Sequence, residues 1–378
     1  MRPLDDWVST AARSTPDRVA LVAEGRSLTY AELDAEVARR ARGGVVTVPA
    51  RPGIDFVVEV HALARGGGTL VPHDPARVPP PVPERSDAQT IVFTSGTTAE
   101  PRPVELSRSN HEASALALGE RLGLGHHDRW LCCMPLHHVG GLAIVHRAAI
   151  FASTLVVHER FDADRVRREL ADGGITHASL VATMLARLPA LQAPALKALL
   201  LGGGPIPEEQ LGSGLPVVPT YGMTETGSAV ATGTPGEPLP GVELRIADDG
   251  EIFVRGPMVA AEGWLATGDL GRLDDRGRLT VEGRKADTII SGGENVSPRR
   301  VEAALEEHPA VAEAAVVGRP DPEWGEAVTA FVVADAGEQE LLAHARERLA
   351  AHEVPKSVLF VDALPRNPAG KLMRRELR

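Results

Sequence analysis

Three stretches of this chain share one layout, a short extended run that empties into a glycine-bearing loop. They are Ile91-Val92-Phe93 before Thr94-Ser95-Gly96-Thr97-Thr98-Ala99-Glu100-Pro101-Arg102, residues 196 to 201 before Gly202-Gly203-Gly204-Pro205, and Thr220-Tyr221-Gly222-Met223-Thr224-Glu225. Between them lie helical patterns such as 161 to 172, with Asp162 as cap and Gly173 as stop, followed by a strand pattern at 175 to 181. That alternation restricts the fold to α/β layers. Ligands of open α/β sheets bind beyond the carboxyl ends of strands, so the three loops can converge on one crevice.

The first loop offers hydroxyls, a glycine and one cation, the composition of a nest for a polyphosphate such as that of ATP. The Gly-x4-Gly-Lys-Ser/Thr spacing of the common P-loop is absent, so another architecture would have to hold the nucleotide. The same composition suits an ordinary Ser/Thr-rich surface turn.

At 378 residues the chain exceeds one ordinary core and points to two domains, and 43% hydrophobic residues allow a sizeable interior. A balance of 40 basic against 51 acidic residues, net −11, leaves no extended basic surface for a nucleic acid. There is no apolar run of membrane-spanning length and no signal-peptide layout at Met1-Arg2-Pro3-Leu4-Asp5-Asp6, so a cytoplasmic address without membrane insertion is expected. Cys132 and Cys133 sit side by side in an apolar run near Trp130 and read as buried thiols without chemistry. Lysine occurs only at 197, 285, 356 and 371 in a chain that otherwise uses arginine. A lysine kept against that bias suits a compact point charge.

Residues 283 to 287, Gly-Arg-Lys-Ala-Asp, separate the body from a carboxyl-terminal segment with its own complete pattern. There Ser297-Pro298 is expected to cap a helix with an apolar face of Val301, Ala304 and Leu305. Strands near 313 to 317 and 327 to 333, a helix over 340 to 350 and a strand over 356 to 361 complete a small domain. The expected architecture is α/β, α+β overall: a large multi-layer α/β domain over 1–285 and a small α+β domain over 286–378. The Pro/Val segment 78 to 83 reads as a loop.

Six ordered blocks carry chemistry, and each has an ordinary reading beside the functional one. Tyr221-Gly222-Met223-Thr224-Glu225-Thr226 puts an aromatic face, a hydroxyl and a carboxylate on one turn, which suits a purine, a phosphate and Mg2+, or a plain strand-end turn. Thr267-Gly268-Asp269-Leu270-Gly271 and Arg284 can grip ribose hydroxyls, or be a turn and a linker charge. Ser291-Gly292-Gly293-Glu294 can line a channel or be a helix-entry turn. Pro135-Leu136-His137-His138-Val139-Gly140-Gly141 has no metal-ligand spacing and reads as a core or pocket-wall histidine site. Asn367-Pro368-Ala369-Gly370-Lys371 presents a lysine, or a basic tail with Arg374, Arg375 and Arg378.

Together with Thr94 to Thr98, in this order and spacing, these blocks resemble the adenylate-forming superfamily of acyl-CoA synthetases, adenylation domains and luciferases. The resemblance runs from Thr15-Pro16-Asp17 and Leu28-Thr29-Tyr30-Ala31-Glu32-Leu33 to Lys371. It implies two half-reactions with ATP and Mg2+: a carboxylate attacks the α-phosphorus to give an acyl adenylate and pyrophosphate, and a thiol, usually that of coenzyme A, then displaces AMP. By similarity Thr94, Ser95, Gly96, Thr97 and Thr98 wrap the departing phosphates with Arg102, and Thr224 and Glu225 hold the α-phosphate and Mg2+. Tyr221 stacks adenine, Gly203 and Gly222 count among the nucleotide contacts, and Asp269 and Arg284 grip the ribose. His138 matches a pocket-wall position between acyl group and thiol tunnel. Lys371, on a mobile small domain, is implied as the charge that bridges carboxylate and α-phosphate in the first transition state. Rotation about Ala286 would then withdraw it and bring in Gly292 and Gly293 to form the tunnel.

The chain departs from the family pattern at Ala99 and Arg102, where glycine and lysine are usual, and at Ala286, where Asp or Lys is common. The large domain is also short, chiefly around 43 to 72. Phe151-Ala152-Ser153 lacks the Asp that amino-acid activators place after a Phe, and no carrier domain is attached. The first reading is a free-standing CoA ligase; an enzyme that loads a carrier protein and a catalytically silent nucleotide-binding relative are the alternatives. Compact length and pocket-region sequence most resemble bacterial 2-succinylbenzoate-CoA ligases of menaquinone synthesis, with another aryl or short to medium acyl acid as runner-up. The partners implied are small molecules, and a homodimer is left open.

Overall fold

A computed structural model of the chain describes residues 6–79, 81–94, 102–366 and 372–378. Its contacts divide the chain into two compact units, Met1–Glu243 with Arg255–Leu265, and Leu244–Val254 with Ala266–Arg378. The division expected at 285/286 falls inside the second unit.

The first unit is built on a nine-stranded sheet whose centre is six parallel strands in the order Val19–Ala23, Thr154–Val157, Arg129–Cys132, His177–Leu180, Ala198–Leu201 and Val217–Met223. The first five of these strands are short, mostly apolar and largely buried, the pattern of a covered parallel sheet, while Val217–Met223 is half-buried. The antiparallel pairs at each edge are Arg26–Thr29 on one side and Ser228–Thr232 with Glu237–Pro238 on the other. A second sheet of four strands, Gly44–Pro49, Gly68–His73, Thr90–Thr94 and Arg102–Leu106, is parallel except for its last member.

Helices cover these sheets, and their starts are written locally. Helix α1 (Trp7–Ser14) is capped by Asp6, whose carboxylate accepts from the Val8 and Ser9 amides at 2.9 and 3.0 Å. Helices α2 (Tyr30–Arg40) and α4 (Arg108–Leu122) begin with reciprocal capping boxes, Thr29 with Glu32 and Ser107 with Asn110. Helix α3 (Ile54–Gly66) is apolar on nearly every face and buries eight residues. Helix α5 (Val139–Ile150) is likewise buried along most of its length. The helix expected over 161 to 172 forms at Ala163–Asp172, with Asp162 accepting from the Arg165 amide at 2.9 Å and Gly173 at its end.

Where α1, α3, α4 and α5 meet, three histidines lie buried together. The rings of His111 and His146 stand 4.2 Å apart, His61 and His146 6.3 Å, and Trp7 and His146 5.4 Å. Thr90 Oγ1 lies 2.8 Å from His111 Nε2. Burial lowers the pKa of His61 to about 4, of His111 to about 3 and of His146 well below its ordinary value. The charged neighbours are Asp6 and Arg65 beside His61 and Arg147 beside the other two. Above pH 6.5 both folded and unfolded chains keep these rings neutral; below it only the unfolded chain takes up protons, so stability falls with pH towards the folded values. Each histidine is expected to cost about 2 kcal/mol by pH 5, about 6 kcal/mol for the three. Urea unfolding at pH 7 and pH 5 measures this, and a loss under about 2 kcal/mol contradicts it.

The second unit contains the four-stranded sheet Glu243–Ile246, Glu251–Arg255, Leu265–Leu273 and Leu279–Arg284, the last two antiparallel, most of whose residues belong to it. It also contains a five-stranded sheet of Glu294–Val296, Ile289–Ser291, Gly325–Ala334, Val311–Asp321 and Ser357–Phe360. Helices Pro298–Glu306 and Glu338–Arg348 pack their apolar residues, Val301, Ala304, Leu305, Leu341, Leu342 and Ala345, against one face of that sheet. The strands and helices expected here all form, within a few residues of the expected limits. Ser297 precedes its helix as expected but caps nothing with its side chain; its hydroxyl donates to the Glu282 carbonyl at 3.0 Å instead.

Candidate active site

In the first unit, Ala198–Leu201 and Val217–Met223 run parallel with Leu201 opposite Pro219, so their loops emerge side by side. Thr220 Oγ1 donates to the Leu201 carbonyl at 3.0 Å, which places Gly202 against Thr220. Two of the three glycine loops therefore meet at adjacent strand ends. Beyond Met223 the chain makes one 3-10 turn, Thr224–Thr226, in which Thr224 and Glu225 are half-buried. The turn is braced from outside: the Ala260 amide donates to the Glu225 carbonyl at 2.7 Å, and Asn110 on α4 ties down the carbonyls of Pro257 and Val259 at 2.9 and 3.2 Å. Gly222 is required here, because a Cβ would stand 2.0 Å from the Ser228 carbonyl oxygen.

No ion pair or hydrogen bond among the described residues engages the Glu225 carboxylate. No cluster of three or more His, Cys, Asp or Glu suited to a metal occurs among them either. A lone carboxylate beside a hydroxyl fits Mg2+, which keeps most of its waters and shares substrate phosphates instead of filling a protein cage. These oxygen donors are the right chemistry for it.

Thr94 and Arg102 are paired across the hairpin Thr90–Thr94 and Arg102–Leu106, with Thr94 Oγ1 3.4 Å from the Arg102 carbonyl and Arg102 exposed. Ser95, Gly96, Thr97 and Thr98 lie outside the described residues. His138 begins α5. It is crowded yet solvent-accessible, and desolvation, helped by His137 4.2 Å away, lowers its pKa to about 4, so the ring is neutral at pH 7. Cys132 and Cys133 are buried free thiols, and burial pushes Cys132 up to about 12.

One residue escaped the sequence reading. Arg147, on α5 nine positions beyond His138, is only 2% exposed. Its Nη2 donates to Ser228 Oγ at 2.8 Å, its guanidinium lies 5.5 Å from the centre of the Trp130 ring, and its Nε has no hydrogen-bond partner among the described residues. The ion pairs of the described residues do not include it, and desolvation lowers its pKa to about 10. A buried cation without a carboxylate is costly unless a ligand compensates it. The signal in sequence was a single Arg inside the otherwise uncharged Val-Gly-Gly-Leu-Ala-Ile-Val-His-Arg-Ala-Ala-Ile.

In the second unit, Asp269 and Arg284 sit opposite each other on neighbouring antiparallel strands, with Arg284 Nε 2.8 Å from Asp269 Oδ1. The two expected ribose contacts are thus a preformed pair, Asp269 buried and Arg284 exposed. The next residue, Lys285, bridges Asp249 and Glu251 at 2.6 and 2.7 Å, which raises its pKa to about 12. Gly292 and Gly293, expected in a channel loop or a helix-entry turn, form the tip of a two-residue hairpin between Ile289–Ser291 and Glu294–Val296. Their φ angles of 61° and 85° suit glycine. Lys371 lies outside the described residues. On either side of 367–371, Arg366 bridges Leu372, the Met373 amide donates to the Pro365 carbonyl at 2.9 Å, and Arg374 grips the buried Glu302 with two contacts of 2.5 and 2.6 Å.

Comparison with known proteins shows the family. Residues 62–264 match the AMP-binding enzyme family and residues 300–371 match the AMP-binding enzyme C-terminal domain, so the chain belongs to the AMP-binding enzymes. It is 37% identical to the 2-succinylbenzoate–CoA ligase of Bacillus licheniformis over 98% of this chain and 99% of that protein. That alignment spans 472 columns, so roughly ninety or more positions of the longer relative have no counterpart here. Among solved structures, the chain is similar to o-succinylbenzoate CoA synthetase (MenE) from Bacillus subtilis in complex with the acyl-adenylate intermediate OSB-AMP, with a TM-score of 0.86, 32% identity and coverage of 99% and 98%. The same Bacillus subtilis enzyme in complex with ATP and magnesium ion gives a TM-score of 0.85 at 32% identity, with 98% of each chain covered.

Proposed function

We propose that the chain is an AMP-forming acid–CoA ligase that converts 2-succinylbenzoate into its coenzyme A thioester. A carboxylate is a poor acyl donor because oxide is a poor leaving group, and ATP removes that obstacle. A carboxylate oxygen attacks the α-phosphorus and pyrophosphate departs; the thiol sulfur of coenzyme A then forms a bond to the acyl carbon and AMP departs. Thr94 and Arg102 would face the departing phosphates, Tyr221 the adenine, and Asp269 with Arg284 the ribose. Magnesium, when bound, neutralises phosphate charge, and Thr224 and Glu225 are the residues that would hold it. His138, neutral at pH 7, would line the acyl site without adding charge. We assign Lys371 to the first transition state and Gly292 and Gly293 to the thiol passage.

Arg147 is the observation that carries the choice of acid. A diacid keeps one carboxylate while the other is adenylated, and a buried guanidinium with an unpartnered Nε is the counter-charge such a carboxylate requires. Among the described residues no helix is long and apolar enough to cross a membrane; a cytoplasmic address is part of the proposal. Pairing into a homodimer is left to a sedimentation measurement.

Acid-dependent exchange of labelled pyrophosphate into ATP tests this reading across a panel of mono- and dicarboxylates. Exchange is expected with 2-succinylbenzoate and at least about tenfold less with the analogue lacking the ring carboxylate, since an unpaired buried charge costs several kcal/mol. Absence of exchange with every acid, in folded protein, contradicts it.

A further inference from the structure

Ser228 holds a backbone conformation that serine rarely adopts, with φ at 152°. Such outliers persist where surrounding structure imposes them, and they cluster at functional sites. Here the imposing contacts come from two directions. On one side, the Arg147 guanidinium donates to the Ser228 hydroxyl at 2.8 Å. On the other, the Ser228 peptide is the floor of the turn that carries Thr224 and Glu225. Thr226 Oγ1 donates to the Ser228 carbonyl at 2.7 Å, Ser228 pairs with Met223 across the antiparallel strands, and its carbonyl oxygen fills the space where a Gly222 side chain would begin. The Met223 amide in turn donates to Thr226 Oγ1 at 3.0 Å, which closes the ring of contacts around the turn.

We infer that Ser228 is a positioning residue that couples the acid site to the nucleotide turn. It rests on the reading that Arg147 answers the second carboxylate of the acid. Beside the Trp130 ring, Arg147 has one hydrogen-bond partner among the described residues, the Ser228 hydroxyl, and an Nε without one. When a carboxylate engages the guanidinium, the group reorients, and the hydroxyl moves with it. The adjoining peptide, already strained, transmits that shift to Thr226, Met223 and the Thr224–Glu225 turn. Acid and nucleotide therefore tighten each other's binding, as linkage demands of any two coupled sites.

The test is titration of α,β-methylene-ATP, with magnesium, into the full chain with and without saturating 2-succinylbenzoate, in wild type, Ser228→Ala and Ser228→Gly. The acid is expected to tighten the analogue by about 5–150-fold in the wild type and by less than about twofold in both variants. Glycine separates the hydroxyl from the strain: it relieves the φ of 152° yet lacks the oxygen. Alanine keeps the strained backbone and lacks the oxygen, so coupling retained in Ser228→Ala but lost in Ser228→Gly would make backbone strain the carrier and overturn the inference, as would coupling retained in Ser228→Gly alone. Coupling retained in both variants, or absent from the wild type, would also overturn it. The pyrophosphate exchange assay reports separately on the ligase reading, so failure of one is distinguishable from failure of the other.

Discussion

Lys371→Ala is expected to slow ATP-dependent adenylate formation by about 10²–10³-fold and to leave thioester formation from a presynthesised acyl adenylate within about threefold of the wild type. It follows from the proposal that Lys371 stabilises charge developing between carboxylate and α-phosphate, and takes no part once pyrophosphate has left. The physical case for lysine is its compact ammonium in a chain with only three others, at 197, 285 and 356. Those three have other employment in the fold: Lys197 pairs with Asp128 at 2.7 Å, Lys285 with Asp249 and Glu251, and Lys356 lies over the Trp324 ring at 4.2 Å. Single-turnover measurement of each half-reaction separates the outcomes. Equal loss of both would remove the division of labour between them.

The second large effect is at Arg147. Arg147→Met is expected to lower kcat/KM for 2-succinylbenzoate by about 30-fold to several thousand-fold, the equivalent of about 2–5 kcal/mol, with the KM for ATP changed far less. Stability should move the other way or not at all. The guanidinium is buried against Trp130 with a hydroxyl as its hydrogen-bonded partner, and replacing a buried charge by an apolar side chain of similar volume is commonly neutral or stabilising by about 1–4 kcal/mol. A variant that loses the acid and keeps or raises its melting temperature identifies Arg147 as a ligand-binding charge. Unchanged kcat/KM together with a large fall in melting temperature would show that the cation serves the fold.

Much of the architecture was legible because it is written in local signals. Asp162 and Gly173 bracket their helix, apolar runs mark the parallel strands, and glycine loops stand at the strand ends where the candidate site residues Gly203, Tyr221, Thr224 and Glu225 are found. The carboxyl-terminal elements follow the same logic. What escaped depends on partners distant in sequence. His61, His111 and His146 read as three unrelated histidines until α3, α4 and α5 bring them together. Arg147 gained its meaning only when the structure showed that no acidic partner among the described residues accompanies it into the interior. The hairpin around Gly292-Gly293 was not read, because the neighbouring Ser297-Pro298 is a strong helix-start signal, which hid a hairpin ending only a few residues before it. Asp269 and Arg284 were expected together in the body over 1–285, whereas contacts group their strands with the carboxyl-terminal elements, a matter of long-range pairing that local signals do not encode.

The account is tested most directly by the products formed from 2-succinylbenzoate, ATP, magnesium and coenzyme A. AMP, pyrophosphate and the coenzyme A thioester of the acid are predicted in equal amounts, with thioester formation dependent on all four reactants. Formation of ADP and phosphate, or of an adenylate that coenzyme A does not discharge, would contradict it.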